Sequence, residues 1–218
     1  MTDFALLTRQ INSSYSSSLT GGGFLQDEFD RILPLMLSPD SDALLRREAE
    51  SNALLQINSM NTRKRALSEL KKRFAACTPE FWEHYRGLDG KARQLAYFFV
   101  LLRTYRILFD LHLRVTVKRW MAADDSVSPE ALRQEFAEIA ANDDFVGSWT
   151  ELTIKKVQGT YLSILRKVGF LEGMSDVLHQ PSLNAEDFRY YLENGEGWFL
   201  EACLLRKYEI SRMRSELK

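Results

Sequence analysis

Ser59 to Ala75 reads SMNTRKRALSELKKRFA, and in this stretch charge, capping residues and apolar spacing all point to one structure. Asn61 and Thr62 are residue types that cap helices, which places a helix start there, ahead of strong helix formers. Leu67, Leu70 and Phe74 recur at helical spacing and form one apolar stripe. Lys64, Ser68, Lys71 and Lys72 fall on the opposite side, with Arg65 beside them. Six Lys or Arg residues stand against the single acid Glu69. A helix docked by one face and cationic on the other suits a row of backbone phosphates. Solvated faces of ordinary helices also carry Lys and Arg, so this stretch alone does not separate the two readings.

Immediately upstream, Ser41 to Leu55 reads as a second helix that packs through Leu44, Leu45, Ala49 and Leu55, and Gln56 to Met60 forms a short polar connector. Two short helices joined by a tight turn, the second one basic, is the helix-turn-helix pattern, whose second helix enters the major groove. Further back, Gly23 to Leu37 presents Leu25, Phe29, Ile32 and Met36 to a core. Pro34 cannot donate to the carbonyl of Asp30, so a kink or an early end is expected there. Thr2 to Ile11 reads as a short helix and Asn12 to Gly23 as a polar, glycine-rich loop. The triple glycine has neither a Gly-Lys-Ser/Thr ending nor a preceding strand, so it is not a phosphate loop.

Downstream, Pro79 opens a short aromatic helix that ends near Gly87 or Gly90. From Lys91 to Met121, Leu95, Phe98, Leu102, Tyr105, Phe109, Leu113, Val117 and Trp120 keep helical spacing. This predicts one very long central helix or two placed end to end. Ser128 and Pro129 start a helix over Glu130 to Ala141 that is acidic outside. Asn142 to Gly147 reads as a loop and Ser148 to Glu151 as a capping box. In the helix from Trp149 to Val168, Thr153, Lys156, Thr160, Ser163 and Lys167 form one outward row, with Lys155 beside it. Hydroxyls and lysines one turn apart suit phosphate oxygens without demanding a base. This is a second helix-turn-helix candidate, with one conflict: a duplex would repel its acidic first helix, which therefore points away or serves a protein partner. Asn184 with Asp187 starts a short helix, and a final one runs from Trp198 towards Arg214.

The 218 residues carry a net charge of −1, so any attraction to nucleic acid must come from how charge is distributed. Met121 to Glu151 holds eight acids and only Arg133, a strongly acidic counterpart to the basic stretch. The most apolar window, Leu95 to Leu102, is far shorter than the roughly 20 residues of a membrane span. The N-terminus shows no basic region followed by an apolar run, so no signal peptide is expected. Cys77 and Cys203 lack metal-ligand spacing and read as reduced thiols. His84, His112 and His179 stand without a paired carboxylate or nucleophile, and the tandem acids at 124–125 and 143–144 read as solvated or capping. The residues therefore predict a non-enzymatic protein with no cofactor and no metal.

The chain resembles the BrxA family of the BREX bacteriophage-exclusion systems. The resemblance lies in Tyr15-Ser-Ser-Ser-Leu-Thr-Gly-Gly-Gly-Phe-Leu with Glu28, in Asn52-Ala-Leu-Leu, and in Ser59-Met-Asn-Thr-Arg-Lys-Arg leading to Leu70-Lys-Lys-Arg-Phe. It continues in Ala92-Arg-Gln-Leu, Arg103-Thr-Tyr and Trp149-Thr-Glu-Leu-Thr-Ile-Lys-Lys, and weakens after about Leu171. The resemblance implies an all-α, monomeric, cytoplasmic protein with two helix-turn-helix units that binds double-stranded DNA with little sequence preference. It also implies work beside the methyltransferase, ATPase and phosphatase-like proteins of the defence system. Within that frame, residues 1–78 form an N-terminal helical subdomain and residues 79–218 a C-terminal one, packed as one unit. The expected phosphate contacts are Arg63, Lys64, Arg65, Ser68, Lys71, Lys72, Lys155, Lys156, Thr160, Ser163 and Lys167. The alternatives are an RNA-binding, antitermination-like module and a protein adaptor that docks through the acidic segment.

Overall fold

The computed structural model describes residues 14–217, so the helix expected over Thr2 to Ile11 lies outside the described residues. The described chain is all-α and has no strand; isolated antiparallel bridges join Ser126 to Val177 and Leu171 to Leu178. A 3-10 turn, Ser18–Gly21, precedes α1 (Gln26–Met36), α2 (Ser41–Ser51), α3 (Met60–Ala75) and α4 (Pro79–Gly87). The centre is α5 (Gly90–Thr104) followed by α6 (Arg106–Leu111), which runs on through π-helical His112–Val117 into α7 (Lys118–Met121). Then come α8 (Pro129–Asn142), α9 (Asp144–Gly147), α10 (Glu151–Lys167), α11 (Ala185–Glu193), α12 (Trp198–Ala202) and α13 (Lys207–Glu216).

Every side chain from Leu95 to Leu102 is at most 2% exposed, so α5 is enclosed on all sides. A helix buried all round shows no polar stripe, which is why this window is so uniformly apolar. The central segment is not one continuous α-helix: Tyr105 adopts an extended backbone between α5 and α6. Its hydroxyl instead donates to Glu69 and accepts from Arg73, tying this break to α3.

Several boundaries differ from the sequence reading, each for a local reason. Ser59 caps α3 by accepting from the Thr62 amide, so the cap lies upstream of Asn61 and Thr62. Thr150, not Ser148, caps α10 by accepting from the Thr153 amide, while the Ser148 hydroxyl turns back to the Phe145 carbonyl. The expected loop over Asn142 to Gly147 contains α9, capped by Asp143 at the Val146 amide. The expected final helix is divided at Leu204, whose φ of 65° interrupts it between α12 and α13. Ser128 with Pro129, and Asn184 with Asp187, start their helices as expected, the latter as a full capping box.

The π-helical turn lies over a buried polar relay. The ring of His112 is fully buried, with Nε2 2.7 Å from the Ala202 carbonyl and Nδ1 3.0 Å from the Tyr161 hydroxyl. A carbonyl only accepts, so Nε2 carries the proton and Nδ1 accepts from Tyr161, whose oxygen in turn accepts from Thr116. The relay binds the centre to α10 and α12. Burial pushes the His112 pKa down to about 4. Because the unfolded chain then binds this proton more readily, stability is full above about pH 6.5 and falls as pH drops towards 4. The loss amounts to about 3 kcal/mol at the acid end. Urea unfolding at pH 7 and pH 4.5 should show this decline, and His112→Gln should flatten it; an unchanged slope in that variant would remove His112 as its source.

Candidate nucleic-acid interface

The hairpin of α2 and α3 is built by polar side chains turned inward. Glu48, 4% exposed, accepts from the Leu54 and Leu55 amides at 2.9 Å each. Asn52 ends α2 at a φ of 55°, and its Oδ1 accepts from the Ile57 amide at 2.8 Å. Asn tolerates this left-handed region better than most residues. The connector thus spans residues 52–59, longer than the tight turn expected from Gln56 to Met60 and than a typical 3–4-residue helix-turn-helix turn.

Two of the six cations in the α3 stretch hold the fold and do not face outward. Arg63 is buried and donates to the Ala49 and Ile57 carbonyls at 2.7 and 2.8 Å, which takes it out of the expected phosphate-contact set. Its charge satisfies the ends of α2 and of the connector. Arg73 is fully buried and donates to the Gly23 and Phe24 carbonyls at 2.8 and 2.6 Å and to the Tyr97 and Tyr105 hydroxyls at 2.9 Å each. The triple glycine is therefore a seat for an arginine. Gly23 lies at a φ of 60°, and a Cβ on Gly22 would meet Leu25 Cδ1 at 2.6 Å.

Lys64, Arg65, Ser68, Lys71 and Lys72 are exposed along α3. Lys71 pairs with Asp42 of α2 at 2.6 Å, and this pair holds the Asp42 carboxyl below its ordinary range through its hydrogen bond and charge. Both partners are open to solvent, so the pair is weak enough for a phosphate to replace Asp42. Lys72 donates to Ser18 at 3.3 Å and lies 4.8 Å above the Tyr105 ring. Among the described residues Lys64 and Arg65 make no ion pair. A groove between the two helices is lined by Asp42, Leu45, Arg46, Ala49, Lys64, Leu67, Ser68 and Lys71. Arg46 adds a cation that sequence reasoning missed, because α2 taken alone carries three acids against two arginines.

On α10, Lys155, Lys156, Ser163 and Lys167 are exposed and Thr160 is half-buried, while Val157, Tyr161, Ile164 and Leu165 face the core. Both α3 and α10 pack against the 3-10 turn Ser18–Gly21, whose Leu19 is fully buried. Two cationic helices separated by some ninety residues in sequence thus flank one turn. The acidic helix α8 is partly neutralised: Glu135 pairs with Arg114 at 3.2 Å, and Glu130 pairs with Arg133.

His84 and the two cysteines are engaged in packing, and His179 is exposed. His84 stacks on Tyr190 with ring centroids 4.4 Å apart, and Cys77 and Cys203 are free thiols whose pKa burial raises. Among the described residues no group of His, Cys, Asp or Glu is placed to hold a metal ion. No described helix is long and apolar enough to cross a membrane.

A BREX protein BrxA from Paramagnetospirillum magneticum is 23% identical over 188 residues, covering 85% of this chain and 94% of that protein. A BREX protein BrxA from Bacillus cereus is 18% identical over 189 residues, covering 86% and 94% respectively. The crystal structure of an uncharacterized protein from Magnetospirillum magneticum superposes with a TM-score of 0.70 at 19% identity, over 88% of this chain and 98% of that one. The family described as BrxA matches residues 13–195, well past the point near Leu171 where the motif resemblance weakens. With that match over most of its length, the chain belongs to the BrxA family.

Proposed function

We propose that this protein is a non-enzymatic accessory component of a BREX phage-defence system that holds double-stranded DNA by its phosphates with little sequence preference. The observation that carries the reading is the set of exposed cations on α3, seated beside α10 through their common turn. Lysines, one arginine and hydroxyls on rigid helices supply donors to phosphate oxygens, and none of them is arranged to single out a base. The exposed set comprises Lys64, Arg65, Lys71 and Lys72 on α3, and Lys155, Lys156 and Lys167 on α10. Work in the cytoplasm beside other proteins of a BREX system, the system that the relatives' names give, belongs to this reading.

The test is a gel shift of unrelated duplexes across a salt series. Seven phosphate contacts give a slope of log affinity against log salt of about −6, or about 10³-fold weaker binding at 200 mM than at 50 mM. Duplexes of different sequence should bind alike. A slope near zero, or equal competition by single-stranded RNA of the same length, would overturn the reading.

A further inference from the structure

The geometry points to a second, separate surface at the head of α10: a docking face for a protein segment that combines Lys or Arg with aliphatic or aromatic side chains. Phe145 is 57% exposed and Leu152 62%, large apolar groups standing in solvent on neighbouring elements. Between them Trp149 is half-buried, its ring 6.0 Å from Phe145 and 6.3 Å from the core residue Phe136. The apolar face is therefore rooted in the interior and held rigid, as anchor positions in interfaces are.

Its surroundings decide what covers it. From Gln134 to Ile154 the chain has no Lys or Arg. Glu138, Asp144 and Glu151 are exposed and Asp143 half-buried, and among the described residues none of the four makes an ion pair. The carboxylates repel phosphate, so the face supplies no phosphate contacts itself while it borders the cations of α10, one turn from Leu152. An apolar centre ringed by uncompensated carboxylates complements a segment whose apolar side chains are flanked by cations. Phe145 also walls a cleft with Ser14, Tyr15, Asp143 and Arg106. Arg106 lies over the Tyr15 ring at 4.3 Å, and its Nε pairs with the buried Asp110 carboxylate at 3.7 Å. The cleft thus has room for one side chain beside Phe145. The exposed side of α3 does not supply such a segment: it mixes its cations with Asn61, Thr62 and Ser68, and its large apolar group, Met60, sits at the helix end.

The test uses a synthetic 14-residue helical peptide of Leu and Lys at heptad spacing, with a Glu-for-Lys counterpart, titrated against the full chain by calorimetry. The expected result is saturable binding of the Lys peptide, weakened at least tenfold in Phe145→Ser/Leu152→Ser and in Asp144→Lys/Glu151→Lys. Duplex affinity of the serine variant should stay unchanged, which keeps this outcome separate from that of the DNA reading. Equal binding to both variants, or comparable binding of the Glu peptide, would overturn the inference. So would concentration-dependent dimerisation in sedimentation that the serine variant abolishes, since the face would then belong to a second copy. Binding that appears only after residues 1–13 are removed would overturn it too, by assigning the face to the chain's own segment.

Discussion

Reversing Lys64, Arg65 and Lys71 to glutamate abolishes duplex retention in a gel shift at 50 mM salt, a loss of at least a hundredfold, while the helical circular dichroism is unchanged. All three side chains stand in solvent on α3, and none bonds to a buried group. The substitutions therefore leave the packing of Leu67, Leu70 and Arg73 intact. Each reversal removes one phosphate contact and its released counterion, so the salt slope should fall by about three and repulsion adds to that loss. Reversal at Lys155, Lys156 and Lys167 on α10 gives a comparable loss if the duplex crosses both helices. A weaker effect there confines the track to α3 and its groove. Normal binding by the α3 variant would remove that helix from the interface altogether.

The contrast between Arg63 and Lys64 shows where the sequence stops informing. Both belong to the same basic run, yet Arg63 is spent on the Ala49 and Ile57 carbonyls while Lys64 stands open. One-dimensional spacing fixes which face of α3 carries Leu67 and Leu70, because period alone determines that. It does not reveal that the connector places two bare carbonyls within reach of a guanidinium. For the same reason the helices and the Ser128 and Asn184 caps were readable, since those signals are local. Two helices placed end to end over Lys91 to Met121 were one of the two readings, but the place of the break at Tyr105 is not legible, because it answers to contacts with Glu69 and Arg73 on another helix. The stretches that carry the family resemblance follow this division. Tyr15 donates to buried Asp110 at 2.7 Å, Asn52 closes the connector, and Gly23 and Phe24 receive Arg73. Much of what makes the chain recognisable is scaffold, and the exposed cations ride on it.

Arg73→Met lowers the free energy of unfolding by about 3 kcal/mol, as urea denaturation at pH 7 would measure it. Methionine matches the length of the stem and fills much of the space, so the effect isolates the lost guanidinium. That group is the shared donor for four acceptors: two part-buried backbone carbonyls in the glycine segment and two buried tyrosine hydroxyls of the central helix region. The hydroxyls keep other partners, since Tyr97 also donates to the Leu25 carbonyl at 3.2 Å and Tyr105 to Glu69 at 2.8 Å. The Gly23 and Phe24 carbonyls have no such replacement within the protein; a buried acceptor left unpaired costs about 1–3 kcal/mol, and these two are part-buried, so together they account for about 3 kcal/mol. Gly23 and Leu25, at φ of 60° and 51°, lose the clamp that holds this left-handed turn. Arg73→Lys retains the charge but offers a compact ammonium in place of a planar fork, so it recovers only part of the loss. Because the Gly23 amide bonds back to Leu19 in the 3-10 turn that packs against both α3 and α10, the folded Arg73→Met protein should also bind duplex more weakly although residue 73 touches no phosphate. A variant within 1 kcal/mol of the parent and with unchanged duplex affinity would show that the two cationic helices are held in register by something other than this arginine.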